Sequence, residues 1–139
     1  MKKILKSKGR YNIGNFALRV GKSVSGKGLF AVDRIPKGTC VIEYTGKPVK
    51  ESEQYKIKSK YLFEVGKNKM VNGNVPSNTA RYINHSCKPN CEADGPDGRV
   101  YILSLKNIKA GEELTYDYGE EYFDEHIGPK GCRCVGCAK

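Results

Sequence analysis

No apolar run in this 139-residue chain approaches membrane-spanning length. The N-terminal "MKKILKSKGR" has the basic residues of a signal peptide, but only Ile4 and Leu5 stand in for its apolar segment. These two absences lead to the expectation of a soluble, unsecreted, intracellular protein with no membrane partner. An internal repeat and a low-complexity linker are also missing, and no segment carries a long apolar stripe of 3.6-residue period. The length suits one compact domain, since a chain of this size buries roughly two thirds of its unfolded surface.

Positive charge is plentiful: 25 Lys and Arg against 15 Asp and Glu give a formal charge of +10. Such an excess is compatible with attraction to nucleic acid or another acidic surface. It is unevenly spread. Met1 to Lys69 carries 17 basic and 5 acidic residues, whereas Glu112 to Glu125 holds seven carboxylates and no Lys or Arg.

Sixteen glycines and six prolines punctuate many short apolar segments, a pattern that favours strands. "GKGLFAVDRIPKGTCVIEYTG" predicts strands at Leu29 to Val32 and Cys40 to Tyr44 around a Pro36-Lys37-Gly38 turn. "DGPDGRVYILSLKNIKAGEELTYDYG" predicts strands at Val100 to Leu105 and Leu114 to Tyr118 around Ala110-Gly111. Only "VKESEQYKIKSKY" and "SNTARYI" suit short helices. The fold class expected is mainly β, with short strands in small sheets and one or two short helices.

The tail "GCRCVGCAK" places Cys132, Cys134 and Cys137 too close together for comfortable disulfides among themselves, but well for wrapping one soft cation such as zinc. A tetrahedral site then needs a fourth ligand. Cys87, Cys91, Cys40, His85 and His126 are candidates, with Cys87 favoured. Four protein ligands make such a zinc structural.

The stretch "RYINHSCKPNCEA" formally holds an Asn-x-Ser glycosylation acceptor at Asn84, yet the secretory route for that modification is lacking. A Cys87 nucleophile activated by His85 is disfavoured on the expectation that residues so close on an extended chain point to different sides. Gly26-x-Gly28 lacks the third glycine and following helix of a dinucleotide fingerprint, and its plain reading is a turn entering a strand. In "EELTYDYGEEYF", tyrosines alternate with polar residues, as on a strand with one packed face and one wet face.

Taken together and in this order, "GKGLF", "VIEYTG", "RYINHSCKPNCEA", "GEELTYDYG" and the cysteine-rich tail resemble the SET-domain protein lysine methyltransferases. The resemblance runs from about Ser25 to Cys137. It implies a β-clip fold with a pseudoknot, in which the Asn-His-Ser segment threads beneath a loop formed by "GEELTYDYG". It divides the chain into a basic segment at 1–24, the SET domain at 25–122 and a zinc-binding tail at 123–139. The tail resembles the family's post-SET cluster, with a last spacing of two residues where four is usual.

The same resemblance implies site residues. Lys27, Gly28 and Leu29 would form the turn cradling the methionine end of S-adenosylmethionine, with Arg81, Asn84 and His85 lining its pocket. Tyr118 would be the catalytic tyrosine at the mouth of a lysine channel, with Tyr44 its partner across that channel. Tyr116 would sit where Tyr or Phe influences how many methyl groups are added, and its hydroxyl implies mono- or limited dimethylation. Cys87, Cys132, Cys134 and Cys137 would hold a structural zinc.

The function implied is methyl transfer to lysine of a Lys/Arg-rich, histone-like protein, with the acidic strip receiving the substrate. A prokaryotic version would act in the cytoplasm; a eukaryotic one would be nuclear or chromatin-associated. Nucleic acid or chromatin contact through the basic surface is a further partner to consider. The alternative is a catalytically inactive SET-fold module that binds basic peptide or nucleic acid. A nucleic-acid-binding zinc protein is least supported, because no finger helix pattern accompanies the cysteines.

Overall fold

The structure is a computed structural model and describes residues 11–24, 26–50, 53, 62–66, 69–96 and 98–118. The strands are β1 (Leu18–Ser23), β2 (Gly26–Ala31), β3 (Cys40–Tyr44), β4 (Lys47–Val49), β5 (Leu62–Gly66), β6 (Lys69–Asn72), β7 (Asn84–His85), β8 (Cys91–Asp94), β9 (Val100–Ser104) and β10 (Thr115–Tyr116). One short 3-10 helix, Thr79–Tyr82, lies within the expected "SNTARYI" segment. Most of the other expected helix, "VKESEQYKIKSKY", lies outside the described residues. Among the described residues no helix is long and apolar enough to cross a membrane.

Four small sheets result: β1-β2, β10-β7, β3-β9-β8 and β4-β6-β5. The strand at 40–44 spans the residues expected from sequence, and β9 ends one residue early. β9 reads VYILS and is buried throughout. Its central place between β3 and β8 explains why apolar and aromatic residues run on without alternation. β2 begins three residues before the expected Leu29. β1 and β2 pair antiparallel, Leu18 with Ala31 and Ser23 with Gly26.

The chain splits into two compact units. The first comprises Met1–Asn15, Thr39–Arg81 and Ala93–Leu103. Its core includes Cys40, Tyr101 and Leu103, with Tyr11 packed against them and stacked on Tyr101 at 5.1 Å between ring centroids. In the β4-β6-β5 sheet, Lys47 pairs with Asn72 and Val49 with Met70. The buried Asn78 accepts the Thr45 N–H (3.1 Å) through Oδ1 and donates through Nδ2 to the Gly73 carbonyl (3.0 Å), tying 45 to 73.

The second unit comprises Phe16–Gly38, Tyr82–Glu92 and Ser104–Lys139. Leu29, Ile35, Ile83, Ile108 and Leu114 are its fully buried aliphatic side chains. Ile35 and Ile108 exchange both backbone hydrogen bonds (2.9 and 2.8 Å) in an isolated antiparallel bridge. Gly38 closes the expected turn with φ of 79°, where a side chain would be strained. Its N–H donates to the Ser104 carbonyl at 2.9 Å.

Asn90 fastens this unit. Its Nδ2 donates to the Glu113 carbonyl (2.8 Å) and to Glu112 Oε2 (3.1 Å), while its Oδ1 accepts the Thr115 N–H (2.9 Å). The side chain thus acts as one more rung between the 84–90 segment and the 112–118 segment. Asn90→Ala strands the buried Thr115 N–H and the Glu113 carbonyl, each worth roughly 1–3 kcal/mol when unsatisfied. Urea unfolding of this variant should show a loss of about 2–4 kcal/mol with little change in m-value. Asn90→Asp keeps the acceptor, loses both donor bonds and sets a carboxylate beside Glu112, so its loss should be comparable.

Candidate active site

The "NHS" and "TYDY" motifs meet by backbone pairing. β7 runs parallel to β10 with Asn84 opposite Thr115 and His85 opposite Tyr116, and the Ser86 N–H donates to the Tyr116 carbonyl at 3.1 Å. Two-residue strands cannot hold such a crossing alone. Side chains complete it. Tyr118 donates its N–H to His85 Nδ1 at 3.1 Å, its hydroxyl donates to the Ile83 carbonyl, and its ring meets the imidazole edge-on at 5.4 Å. The Tyr116 ring lies 4.9 Å from that of Tyr118.

His85 is buried, and desolvation lowers its pKa, opposed by the Asp117 carboxylate 3.7 Å away. The neutral ring is therefore favoured. Because Nδ1 accepts from Tyr118, the proton of the neutral ring sits on Nε2, which lies 3.5 Å from Cys87 Sγ. This corrects the expectation that His85 and Cys87 point to different sides: they lie two apart and the chain bends at Cys87, bringing them together. In this tautomer Nε2 carries its proton and does not act as a base toward the Cys87 thiol.

The Tyr118 hydroxyl has its proton committed to a backbone carbonyl. Its oxygen lone pairs therefore act as an acceptor of fixed direction. A neutral phenol held in this way suits a guest with N–H groups to donate. It is a poor base, so its chemistry is orientation.

Beside this crossing lies the glycine segment. Lys27, Gly28 and Leu29 were expected in a turn but are strand residues of β2, with Lys27 paired to Lys22 and Gly28 to Gly21. The physical reason is the register of the β1-β2 pairing, which sets Gly26 against Ser23 and carries the ladder through residues 26–31. Asn84 Nδ2 donates to the Lys27 carbonyl and to Glu113 Oε2, both at 2.9 Å. Its amide nitrogen is thus engaged within the fold. Ser23 Oγ donates to the other Glu113 oxygen at 2.8 Å. A Cβ on Gly28 would come within 2.4 Å of the Glu113 carboxylate and 3.0 Å of Ser23 Cβ, so internal packing already demands a glycine there. Leu29 is fully buried and accepts the Leu114 N–H at 2.8 Å. The Lys27 ammonium stands 5.7 Å over the Tyr82 ring.

Glu113, Asn90 and Ser23 are site residues that reading the sequence missed. Glu113 counted only as one charge of the acidic strip, although its place inside the "GEELTYDYG" motif was a usable signal. Nothing local marks Ser23.

Tyr44 and Arg81 belong to the first unit. Tyr44 is buried, with its ring 5.1 Å from that of Phe63 and packed so tightly on Gly73 that a Cβ there would lie 2.3 Å from its hydroxyl oxygen. Arg81 is half-buried in the 3-10 helix, where its N–H donates to the Asn78 carbonyl at 3.2 Å.

Of the cysteines, Cys87 is exposed and Cys40 and Cys91 are buried. Burial pushes the Cys91 thiol up to about 12, against a weaker lowering by the Thr115 backbone, and burial followed by the Glu43 charge raises Cys40. Burial thus favours the protonated thiol at both positions. Cys132, Cys134, Cys137 and His126 lie outside the described residues, and no group of three or more metal-ligating side chains occurs among the described residues.

Comparison with known proteins adds an independent line. The family model described as SET domain matches residues 26–119. Histone-lysine N-methyltransferase trr of Drosophila melanogaster is 36% identical over 129 residues, covering 84% of this chain and 5% of the relative. The H3 lysine-4 specific histone-lysine N-methyltransferase of Saccharomyces cerevisiae is 38% identical over 125 residues, covering 79% of this chain and 12% of the relative. Among solved structures, ctPRC2 in an autoinhibited conformation bound to S-adenosylmethionine matches with a TM-score of 0.66 at 33% identity, over 76% of this chain and 15% of that one. The chain thus spans only a small part, 5% and 12%, of these curated relatives. With the mainly β architecture, the matched span and these relatives in agreement, the chain belongs to the SET-domain family.

Proposed function

We propose that this chain transfers methyl groups from S-adenosylmethionine to the side-chain amine of lysine in a basic, histone-like protein. One observation carries the reading: Tyr118 is locked by His85 and the Ile83 carbonyl so that its oxygen serves as a directed acceptor beside the paired motifs. The relatives named as histone-lysine N-methyltransferases support the reaction class, and the neighbour bound to S-adenosylmethionine supports the cofactor.

The cofactor supplies, when bound, a methyl group on a positively charged sulfonium. Lys27, Gly28 and Leu29, with Asn84, His85 and Arg81, are the residues proposed to hold it. The Asn84 amide, bonded to the Lys27 carbonyl and to Glu113, fixes the "NHS" segment beside Lys27 and so holds these proposed cofactor residues together. A lysine with pKa near ~10.4 is only about 0.1% neutral close to pH 7.4, so making the nucleophile costs about 4 kcal/mol. Tyr118, with Tyr44 proposed as its partner, lowers that cost by desolvating the amine, which disfavours the ammonium, and directs its lone pair. Tyr118 would aim the amine lone pair at the methyl group, and the cofactor would supply that methyl with sulfur as a leaving group that keeps the electron pair. In-line placement supplies roughly 7–11 kcal/mol through effective molarity, which removes the need for a strong base.

Zinc is proposed as a structural ion held by Cys87 with Cys132, Cys134 and Cys137. Cys87 suits the role: it is exposed, and the neutral His85 ring offers its Nε2–H to the sulfur, which favours the thiolate. A histone-like substrate would make chromatin the place of action.

Incubation with labelled cofactor and mixed basic proteins, followed by mass spectrometry of the modified site, should show transfer to lysine. Tyr118→Phe should lower kcat by at least tenfold with little change in cofactor affinity measured by calorimetry. Cofactor binding without any transfer by the wild-type chain would favour the idle binding module instead. Tyr116 carries a hydroxyl suited to holding water in the space a methylated amine needs, so the expected product is mono- or limited dimethyl-lysine. Tyr116→Phe should shift products toward higher methylation, and unchanged multiplicity would count against that role. Replacing Glu120, Glu121 and Asp124 by their amides should raise KM for a basic peptide and flatten its salt dependence; no change would remove the acidic strip from substrate recognition.

A further inference from the structure

The second unit carries a cluster of cations that the proposed reaction does not use. The Ile35–Ile108 bridge brings together two loops, "DRIPKG" (33–38) and "SLKNIKAG" (104–111). In an antiparallel bridge the residue before one partner faces the residue after the other, so Arg34 stands opposite Lys109. Lys37 donates its N–H to Asn107 Oδ1 at 2.9 Å, which sets it next to Lys106. The ladder is stiff, with the two Ile35–Ile108 bonds, the Gly38 to Ser104 bond and a Ser104 Oγ to Pro36 carbonyl bond of 2.6 Å. Ile35 and Ile108 point inward and are fully buried, while Arg34, Lys37, Lys106 and Lys109 are all exposed.

Among the described residues none of these four cations makes an ion pair. Among the described residues, the acids in or next to these loops are Asp33, which is exposed, and Glu112, whose oxygens are engaged by Asn90 Nδ2 and the Lys109 N–H. Four cations against these two carboxylates leave the face positive. Like charges facing each other across paired strands destabilise the fold. An anionic partner relieves this repulsion. Neither loop contains an aromatic residue on which unpaired bases could stack, nor the Tyr or Trp anchors typical of protein interfaces. A row of cations without anchors matches a duplex, which presents one negative charge per about 1.7 Å of axis and is bound without base contacts.

We propose that Arg34, Lys37, Lys106 and Lys109 form a docking face for the phosphate backbone of double-stranded DNA. This face is separate from the proposed methyl-transfer residues, and DNA binding can be read without any enzymatic assay. The experiment is fluorescence anisotropy of the full chain with a labelled ~20-bp duplex across a NaCl series. The quadruple variant Arg34→Gln, Lys37→Gln, Lys106→Gln, Lys109→Gln is compared with a control of equal charge loss, Lys2→Gln, Lys3→Gln, Lys6→Gln, Lys8→Gln.

The face variant should bind at least tenfold more weakly near 0.1 M salt, with the log–log salt slope reduced by about 2–4, since each lost phosphate contact removes about 0.9. The control should lose less. The face variant's turnover of a free basic peptide should match the wild type if that activity is present, and its melting temperature should be equal or higher because the repulsion is relieved. Lysine acetylation footprinting of the wild-type chain gives a readout that needs no variant: DNA should protect Lys37, Lys106 and Lys109 more than the exposed Lys22 of β1. Absence of DNA binding, equal losses in the two variants, uniform protection, or displacement of DNA by polyglutamate at equal charge would overturn the proposal.

Discussion

The architecture of the site depends on one crossing, in which residues 84–90 lie along residues 112–118. Its two-residue parallel ladder would be negligible in isolation, because each strand supplies too few backbone bonds to offset the entropy of joining segments so far apart in sequence. Buried side chains supply the difference. Asn90 imitates backbone in both directions, His85 accepts a main-chain N–H, and Tyr118 returns a hydroxyl bond to Ile83. Polar groups of this kind are destabilising when left unpaired, so their mutual satisfaction specifies the crossing as well as stabilising it.

That economy of groups joins fold to chemistry. The residue that fixes the orientation of Tyr118 is His85, and His85 can do so only while neutral, the form its burial favours. The same tautomer turns an N–H toward Cys87. A single imidazole therefore bridges the proposed tyrosine centre and the proposed zinc ligand. On the other side of Asn84, Glu113 holds the β1-β2 hairpin through Ser23 and excludes a side chain at Gly28. Gly28 is thus explained by its own neighbours, whether or not a ligand approaches it as well.

Charge is divided in a similar way. Glu112 and Glu113 are used internally, as acceptors for Asn90, Asn84 and Ser23, and only part of the acidic strip remains for a substrate. The surplus cations at 34–37 and 106–109 have no such internal use. Counting charges along the chain cannot separate these two kinds, because the distinction lies in which atoms each group meets.

Strand positions and turns were legible in the sequence, since alternation and glycine placement depend on residues close together along the chain; the pairing of "NHS" with "TYDY", which joins distant segments, was implied only by the resemblance to the SET-domain family. Cys40 to Tyr44 and Val100 to Ser104 are local statements of this sort, and the structure places them as expected. The tertiary structure alone decided that Lys27 and Gly28 lie in a strand, that His85 reaches Cys87, and that Glu113, Asn90 and Ser23 belong to the site. The reason is physical: hydrogen-bond direction, tautomer and desolvation are set by which atoms meet in three dimensions, and for Glu113, Asn90 and Ser23 those atoms arrive from 22 to 90 residues away.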